Sequence, residues 1–339
     1  MRNLSMDALC EKIGNAVSKQ AISKYEKGES LPGSQILILL SQALDVKPDY
    51  FFRESQFAIS NIEFRKKAKM GVKEVEAIKE EIRDIIERYL EIEDVWGCVP
   101  SFANPVKEML VASEDDVYEV VKKLKDAWNI GEDGILSVTD LLESKNIKVV
   151  EIKADLSFDG LSGYVNNDEN MPFVVVNKSF DVERLRFTGL HELGHLVMNL
   201  PEEMEKKDKE RLCNLFASEM LISCDIFVDV LGERRSDISL QELKVLQAVY
   251  GISVDALMFK AKTVGVISES KYTSFCIRKN KSLAFKDAVE RSSYRGVEES
   301  SRFDRLVYRA LASDMISCSK AAVLLNEPME EVKNKLELV

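Results

Sequence analysis

A chain of 339 residues is longer than one ordinary hydrophobic core sustains, and it predicts two or three domains. Hydrophobic residues at 45% and charged residues at 31% give a soluble, globular balance, while a net charge of −11 argues against nucleic-acid binding by the surface at large. A DNA contact would need a local patch. The sequence has no run of 18 apolar residues and no apolar signal core after Met1, so neither a membrane span nor secretion is expected. Six scattered cysteines without a Cys-x-x-Cys pair read as reduced thiols of a cytoplasmic protein.

Four regions are expected, at 1–56, 57–112, 113–265 and 266–339. In the first, Ser5 caps a helix carrying Leu9 and Ile13, which Gly14-Asn15 ends. Ser18 caps a second, Lys19 to Lys27, which stops at Gly28. Pro32 precedes a third with Ile36, Leu37, Leu40 and Leu44 on its apolar face, and Pro48 begins a short fourth. The second region is a charged helical linker. Val75, Ile78, Ile82, Ile85, Tyr89, Ile92 and Trp96 recur there at spacings of three and four. That stripe suits either a helix laid on the next domain or the seam of a homodimer.

In the third region, helices are expected from Asp115 to Trp128 and from Val138 to Ser144. Strand-like runs follow at Lys148 to Ile152, Gly160 to Val165 and Phe173 to Val176, and then two long helices, Val182 to Leu200 and Glu205 to Ile222. Strands grouped before helices predict an α+β domain with a small sheet. Phe173 to Val176 is either a purely structural strand or an exposed edge that takes an extended peptide by strand addition. The last region reads as helical.

The chemistry centres on His191-Glu192-Leu193-Gly194-His195. Residues four apart share a helix face, so both imidazoles reach one metal, and Glu192 lies beside the first of them. These are the only two histidines in the chain, so a third ligand must be Glu, Asp or Cys. Met198 and Pro201 stand where a metzincin extension needs Gly and His. Among Glu202, Glu203, Glu205, Glu210 and Glu219, the first three lie too near the motif helix or in the polar turn Pro201 to Lys209. Glu210 opens an amphipathic helix that continues through Cys213, Asn214 and Ala217, and Glu219 lies on another face of it. Two imidazoles and one carboxylate leave Zn2+ an open position for water, and Glu192 is the expected proton carrier for attack on a peptide carbonyl. A Tyr or Arg donor is also expected, though the sequence does not single one out. Cys213 shares a face with Glu210. It is either a zinc-blocking thiol or a small buried packing residue.

At these residues the sequence resembles the ImmA/IrrE family of metallopeptidases. The resemblance rests on Arg184-Leu185-Arg186-Phe187-Thr188, on His191 to His195, and on Glu210 to Ala217. It covers roughly 115–265 and implies zinc on His191, His195 and Glu210, with Glu192 as general base. Ser239 to Ser268 is similar to the family's later helices, and Ser223 departs from a proline common there. The N-terminus resembles the XRE (lambda-repressor-like) helix-turn-helix through Val17 to Gly28, Pro32 and Leu44. This implies a second helix in the major groove of double-stranded DNA, with Gln20 on an adenine edge and Lys19, Ser23 and Lys24 on bases or phosphates. The family's first helix normally precedes Leu4, and here it is missing or very short. Together the resemblances imply a zinc-dependent endopeptidase coupled to a DNA reader, cleaving a repressor or other regulatory DNA-binding protein to control phage, mobile-element or stress genes. The alternative is a repressor or antitoxin whose peptidase fold only senses or binds.

Overall fold

The computed structural model describes residues 4–44, 46, 48, 51, 59–60, 71–97, 101–131, 133–165, 168 and 170–336. Contacts divide the chain into two compact units, Met1–Ala58 with Met70–Glu87 and Ile59–Lys69 with Arg88–Val339. No described helix is long and apolar enough to cross a membrane.

The first unit opens with α1 (Met6–Lys12), α2 (Lys19–Glu26) and α3 (Ser34–Leu44). Side-chain oxygens end the first two where expected: Ser5 accepts from the Ala8 N–H and Ser18 from the Ala21 N–H. Leu9, Cys10, Ile13, Ile22, Leu40 and Ala43 form the small core these helices share. The helix expected from Pro48 lies almost wholly outside the described residues. A long helix, α4 (Val72–Val95), follows. Its stripe is covered within the single chain: Val75, Ile78, Ile82, Tyr89 and Ile92 are buried, and Ile86 takes the buried place expected of Ile85. The shift follows from helical geometry, because a straight helix of 3.6 residues per turn drifts away from a strict heptad. Most of the stripe is therefore buried within a single chain, with Ile85 and Trp96 half-buried.

In the second unit, α5 (Glu114–Trp128) and α6 (Val138–Ser144) precede a four-stranded sheet. Its strands are β1 (Ile59–Ser60), β2 (Lys148–Ile152), β3 (Gly160–Val165) and β4 (Pro172–Asn177), in the spatial order β1-β3-β4-β2. β4 is parallel to β2 and antiparallel to β3, and all six of its residues are buried. The edge-strand reading of Phe173 to Val176 is thus overturned. A run apolar on both faces belongs in the middle of a covered sheet. Val174 and Val176 join a core with Leu190, Leu193 and Val197 of α7 (Val182–Val197) and Leu212 and Phe216 of α8 (Lys206–Leu221).

Helices α9 (Cys224–Leu231), α10 (Leu240–Tyr250), α11 (Val254–Thr263), α12 (Glu269–Lys281) and α13 (Leu283–Glu290) continue that core. The chain then crosses back over it. Arg186 on α7 is fully buried and donates to Glu298 at 2.5 Å, to the Tyr294 hydroxyl at 2.8 Å and to the Ile135 carbonyl at 2.6 Å. Glu298 also accepts the Val138 and Thr139 N–H groups at the start of α6. Gly251 follows α10 at φ +60°, and a Cβ there would lie 2.4 Å from Arg186 Nε, so only glycine leaves the guanidinium room. Helices α14 (Arg302–Ala312), α15 (Cys318–Leu324) and α16 (Met329–Lys335) pack with Ile92 in a separate cluster. Lys148 of β2, buried, pairs with Glu93 at 3.0 Å, and Arg302 pairs with the same carboxylate at 2.8 Å. Burial holds the Lys148 ammonium below its ordinary pKa, with Glu93 acting in the opposite sense.

Candidate metal centre and its cleft

Asp181 caps α7 by accepting from the Arg184 N–H, and ten residues further on the helix presents His191. His195 follows one turn later, with the two imidazole centroids 5.2 Å apart. Glu210 stands in the first half of α8, and its Oε2 lies 3.5 Å from His191 Nε2. One donor atom each from His191, His195 and Glu210 falls within 4.8 Å of the others. Two donors about 2.1 Å from a tetrahedral ion sit roughly 3.4 Å apart, close to the 3.5 Å between His191 and Glu210, and the N,N,O donor set also suits zinc.

The approach of α8 to α7 is set at Gly194. A Cβ there would meet Phe216 Cδ1 at 3.2 Å, closer than side chains ordinarily pack. A bare backbone at the middle of the motif thus lets the helix carrying Glu210 come near enough to share a ligand cluster with α7.

Glu192 is 2% exposed, and the Ser162 hydroxyl of β3 donates to its Oε2 at 2.8 Å. Sequence reasoning missed Ser162. The available signal was the alternation along β3, where Leu161, Gly163 and Val165 are buried and Ser162 and Tyr164 share the half-exposed face. Tyr164 in turn donates to the Leu196 carbonyl at 3.1 Å, tying the same strand to the end of α7. β3 is thus the strand beside the motif. β1 pairs with it only at Tyr164 and Val165, and among the described residues Gly160 to Gly163 have a partner strand only on the β4 side.

The cleft has a volume of about 870 Å³ and is lined by His191, Glu192 and Glu210 together with Asn214 and Lys206. Its lining also carries Asp159, Asp181, Glu183, Asp255 and Glu290, of which Asp159 pairs with Arg184, and Asp255 and Glu290 pair with Lys279. A second hollow of 530 Å³ reaches His195 from the Tyr164 side. Of the Tyr or Arg donor expected, Arg184 lines the cleft, where it pairs with Asp159 at 2.6 Å and stacks on Phe180.

The other candidate residues fall elsewhere. Glu219 is buried against Lys260 at 2.7 Å and accepts the Cys224 N–H, away from the ligand cluster. Cys213 is fully buried in the main core and is absent from the group of ligand atoms. That burial is what the packing reading of Cys213 expects. On α2, Lys19, Gln20 and Lys24 are exposed and Ser23 is half-buried, with Lys19 paired to Asp7 at 2.6 Å.

Two family models match parts of the chain. Residues 1–51 match the model of the helix-turn-helix family, and residues 142–262 match that of the IrrE N-terminal-like domain. The chain is also 45% identical over 53 residues to the uncharacterized HTH-type transcriptional regulator y4aM of Sinorhizobium fredii. That likeness covers 16% of this chain and 36% of the relative, so the two share about a third of the relative's length.

Proposed function

We propose that this chain, in which a helix-turn-helix is joined to an IrrE N-terminal-like domain, is a cytoplasmic zinc-dependent endopeptidase that cleaves a repressor or another regulatory DNA-binding protein. The observation that carries the reading is the convergence of His191, His195 and Glu210 within 4.8 Å beside a buried carboxylate, Glu192. Bound zinc would supply an acidified water and a Lewis acid for the peptide carbonyl. Glu192 takes the proton of the attacking water and returns it to the leaving amine. Ser162 fixes the Glu192 carboxylate by holding one of its oxygens. The tight packing at Gly194 sets the reach of Glu210.

The helix-turn-helix brings the peptidase to double-stranded DNA through Lys19, Gln20, Ser23 and Lys24. A repressor or antitoxin that uses the peptidase fold only to sense or bind is the second reading. It draws on the likeness of 53 residues of this chain to an HTH-type transcriptional regulator. Metal analysis should find one zinc per chain. Incubation with helix-turn-helix repressors as candidate substrates should give discrete fragments of one of them, and the Glu192→Gln chain should retain zinc and give none. Equal cleavage by Glu192→Gln would sink the peptidase reading, and DNA binding with no cleavage of any partner would favour the second.

A further inference from the structure

His195 stands in the final turn of α7, two residues before Val197, where the helix ends. The last carbonyls of a helix have no partner within it, and helix ends fray. A metal ligand placed there is aimed only as firmly as that turn is held. The Met198 N–H returns to the Gly194 carbonyl, and two side chains from outside the helix take carbonyls beyond it. The Tyr164 hydroxyl donates to the Leu196 carbonyl at 3.1 Å, and Asn104 Nδ2 donates to the Val197 carbonyl at 2.9 Å. Asn104 and Tyr164 both line the hollow that reaches His195.

Both donors come from anchored backbone. Tyr164 lies on β3, paired with β4. Asn104 belongs to the stretch 101–112, ahead of α5 and of the matched residues 142–262. Phe102, Val106 and Val111 sink that stretch into the main core. Its backbone is also tied. Asn104 Oδ1 accepts the Val106 N–H at 3.0 Å, the Phe102 N–H donates to the Asn170 carbonyl at 2.9 Å, and the Val111 N–H donates to the Asn199 carbonyl at 3.0 Å. A strand and a buried stretch of chain therefore grip the same helix end from outside.

We infer that Asn104 and Tyr164 are positioning residues of the metal centre, clasping the last turn of α7 so that His195 stays converged with His191 and Glu210. Neither belongs to the group of ligand atoms, and each acts through the backbone that carries His195. Holding a ligand's own support in place keeps the donor geometry ready before the ion arrives. The inference rests on the zinc reading of these three residues and needs no substrate.

Zinc affinity of the full chain, read by competition with a chelator, tests this. Tyr164→Phe removes the hydroxyl and keeps the ring. Asn104→Asp removes the donor and keeps the oxygen that accepts the Val106 N–H. Each should weaken zinc binding about tenfold, as loss of groups that support a ligand does, and the double variant should weaken it further. Asn146→Gly is the control. It deletes the 3.0 Å bond from Asn146 Nδ2 to the Ser101 carbonyl, a tie of the neighbouring backbone that does not reach α7, and glycine accepts the φ of +63° there. The control should bind zinc with native affinity. Co2+ in place of zinc gives a second readout: its visible absorption bands should change in both clasp variants and match the native chain in the control. Native zinc affinity and native cobalt bands in both clasp variants, with only a lowered melting temperature, overturn the inference and leave a purely structural clasp. Equal weakening by Asn146→Gly also overturns it, because the effect then belongs to the stretch at large. A native chain that binds neither ion overturns the zinc reading itself.

Discussion

The two ends of α7 bury charge for different purposes. At the first end, Arg186 is fully enclosed and its hydrogen bonds go to Glu298, Tyr294 and backbone carbonyls. Glu183, also buried, accepts from Gln247 at 2.8 Å and Ser292 at 2.5 Å. At the second end His191 and Glu192 line the larger cleft and His195 the second hollow, with Ser162 as the hydroxyl donor to Glu192. The first end is locked by partners contributed from 51 to 112 residues away in the chain. The second end is left open to chemistry. Rigidity at one end of a helix thus sets the aim of the other, and stability and catalysis should fail separately.

The sharpest break of that separation is Glu192→Gln. Removing the proton carrier should lower the cleavage rate by about 10²–10⁴-fold while zinc content and melting temperature stay unchanged. Parallel rate and calorimetric measurements check this, and a large drop in melting temperature would mean that Glu192 also holds the fold. Next comes a pair of carboxylates on α8. Glu210→Gln should weaken zinc binding by more than the roughly 10–100-fold that outer-shell changes cost. Glu219→Gln should leave zinc binding alone and lower stability, because it unbalances a buried pair with Lys260. Competition with a chromogenic chelator distinguishes them.

Glu298→Ala should act from the locked end. It strands the Arg186 guanidinium, and breaking a buried pair costs about 3–5 kcal/mol. Denaturant unfolding reads that loss, and surviving chains should still bind zinc with native affinity. The smallest effect is expected at Ser162→Ala, where loss of one hydrogen bond to a carboxylate, about 1.5–3 kcal/mol at most, should lower kcat by roughly tenfold or more with KM little changed. Ser162→Thr, which keeps the hydroxyl, should recover most of it.

What the sequence made legible was local. A side-chain oxygen three residues before an N–H it can cap marks a helix start, and Ser5 and Ser18 did so from sequence alone. The ligand pair His191 and His195 is legible because four residues return a helix to the same face. Glu210 was reachable too, since the candidates were few and the helix after the motif was clear. The order of strands was not legible. Phe173 to Val176 is apolar on both faces, which suits its structural reading as a covered strand, but nothing within it names β2 and β3 as its neighbours. Ser162 and Glu298 were beyond reach for the same reason. Their partners stand 30 and 112 residues away, and only the folded chain brings them together. The stripe on α4 was read with the right period, and only the position expected of Ile85 passed to Ile86.

The close contact at Gly194 bears on which ion the site accepts. Zinc holds nitrogen and oxygen at about 2.0–2.2 Å, whereas calcium holds oxygen at about 2.3–2.6 Å. With only a hydrogen between the backbone of α7 and Phe216, the donors can close to the shorter span. A methyl group in that gap would make Phe216 give by a few tenths of an ångström, so Gly194→Ala reads out how far the spacing of Glu210 from the two histidines depends on a residue outside the ligand set.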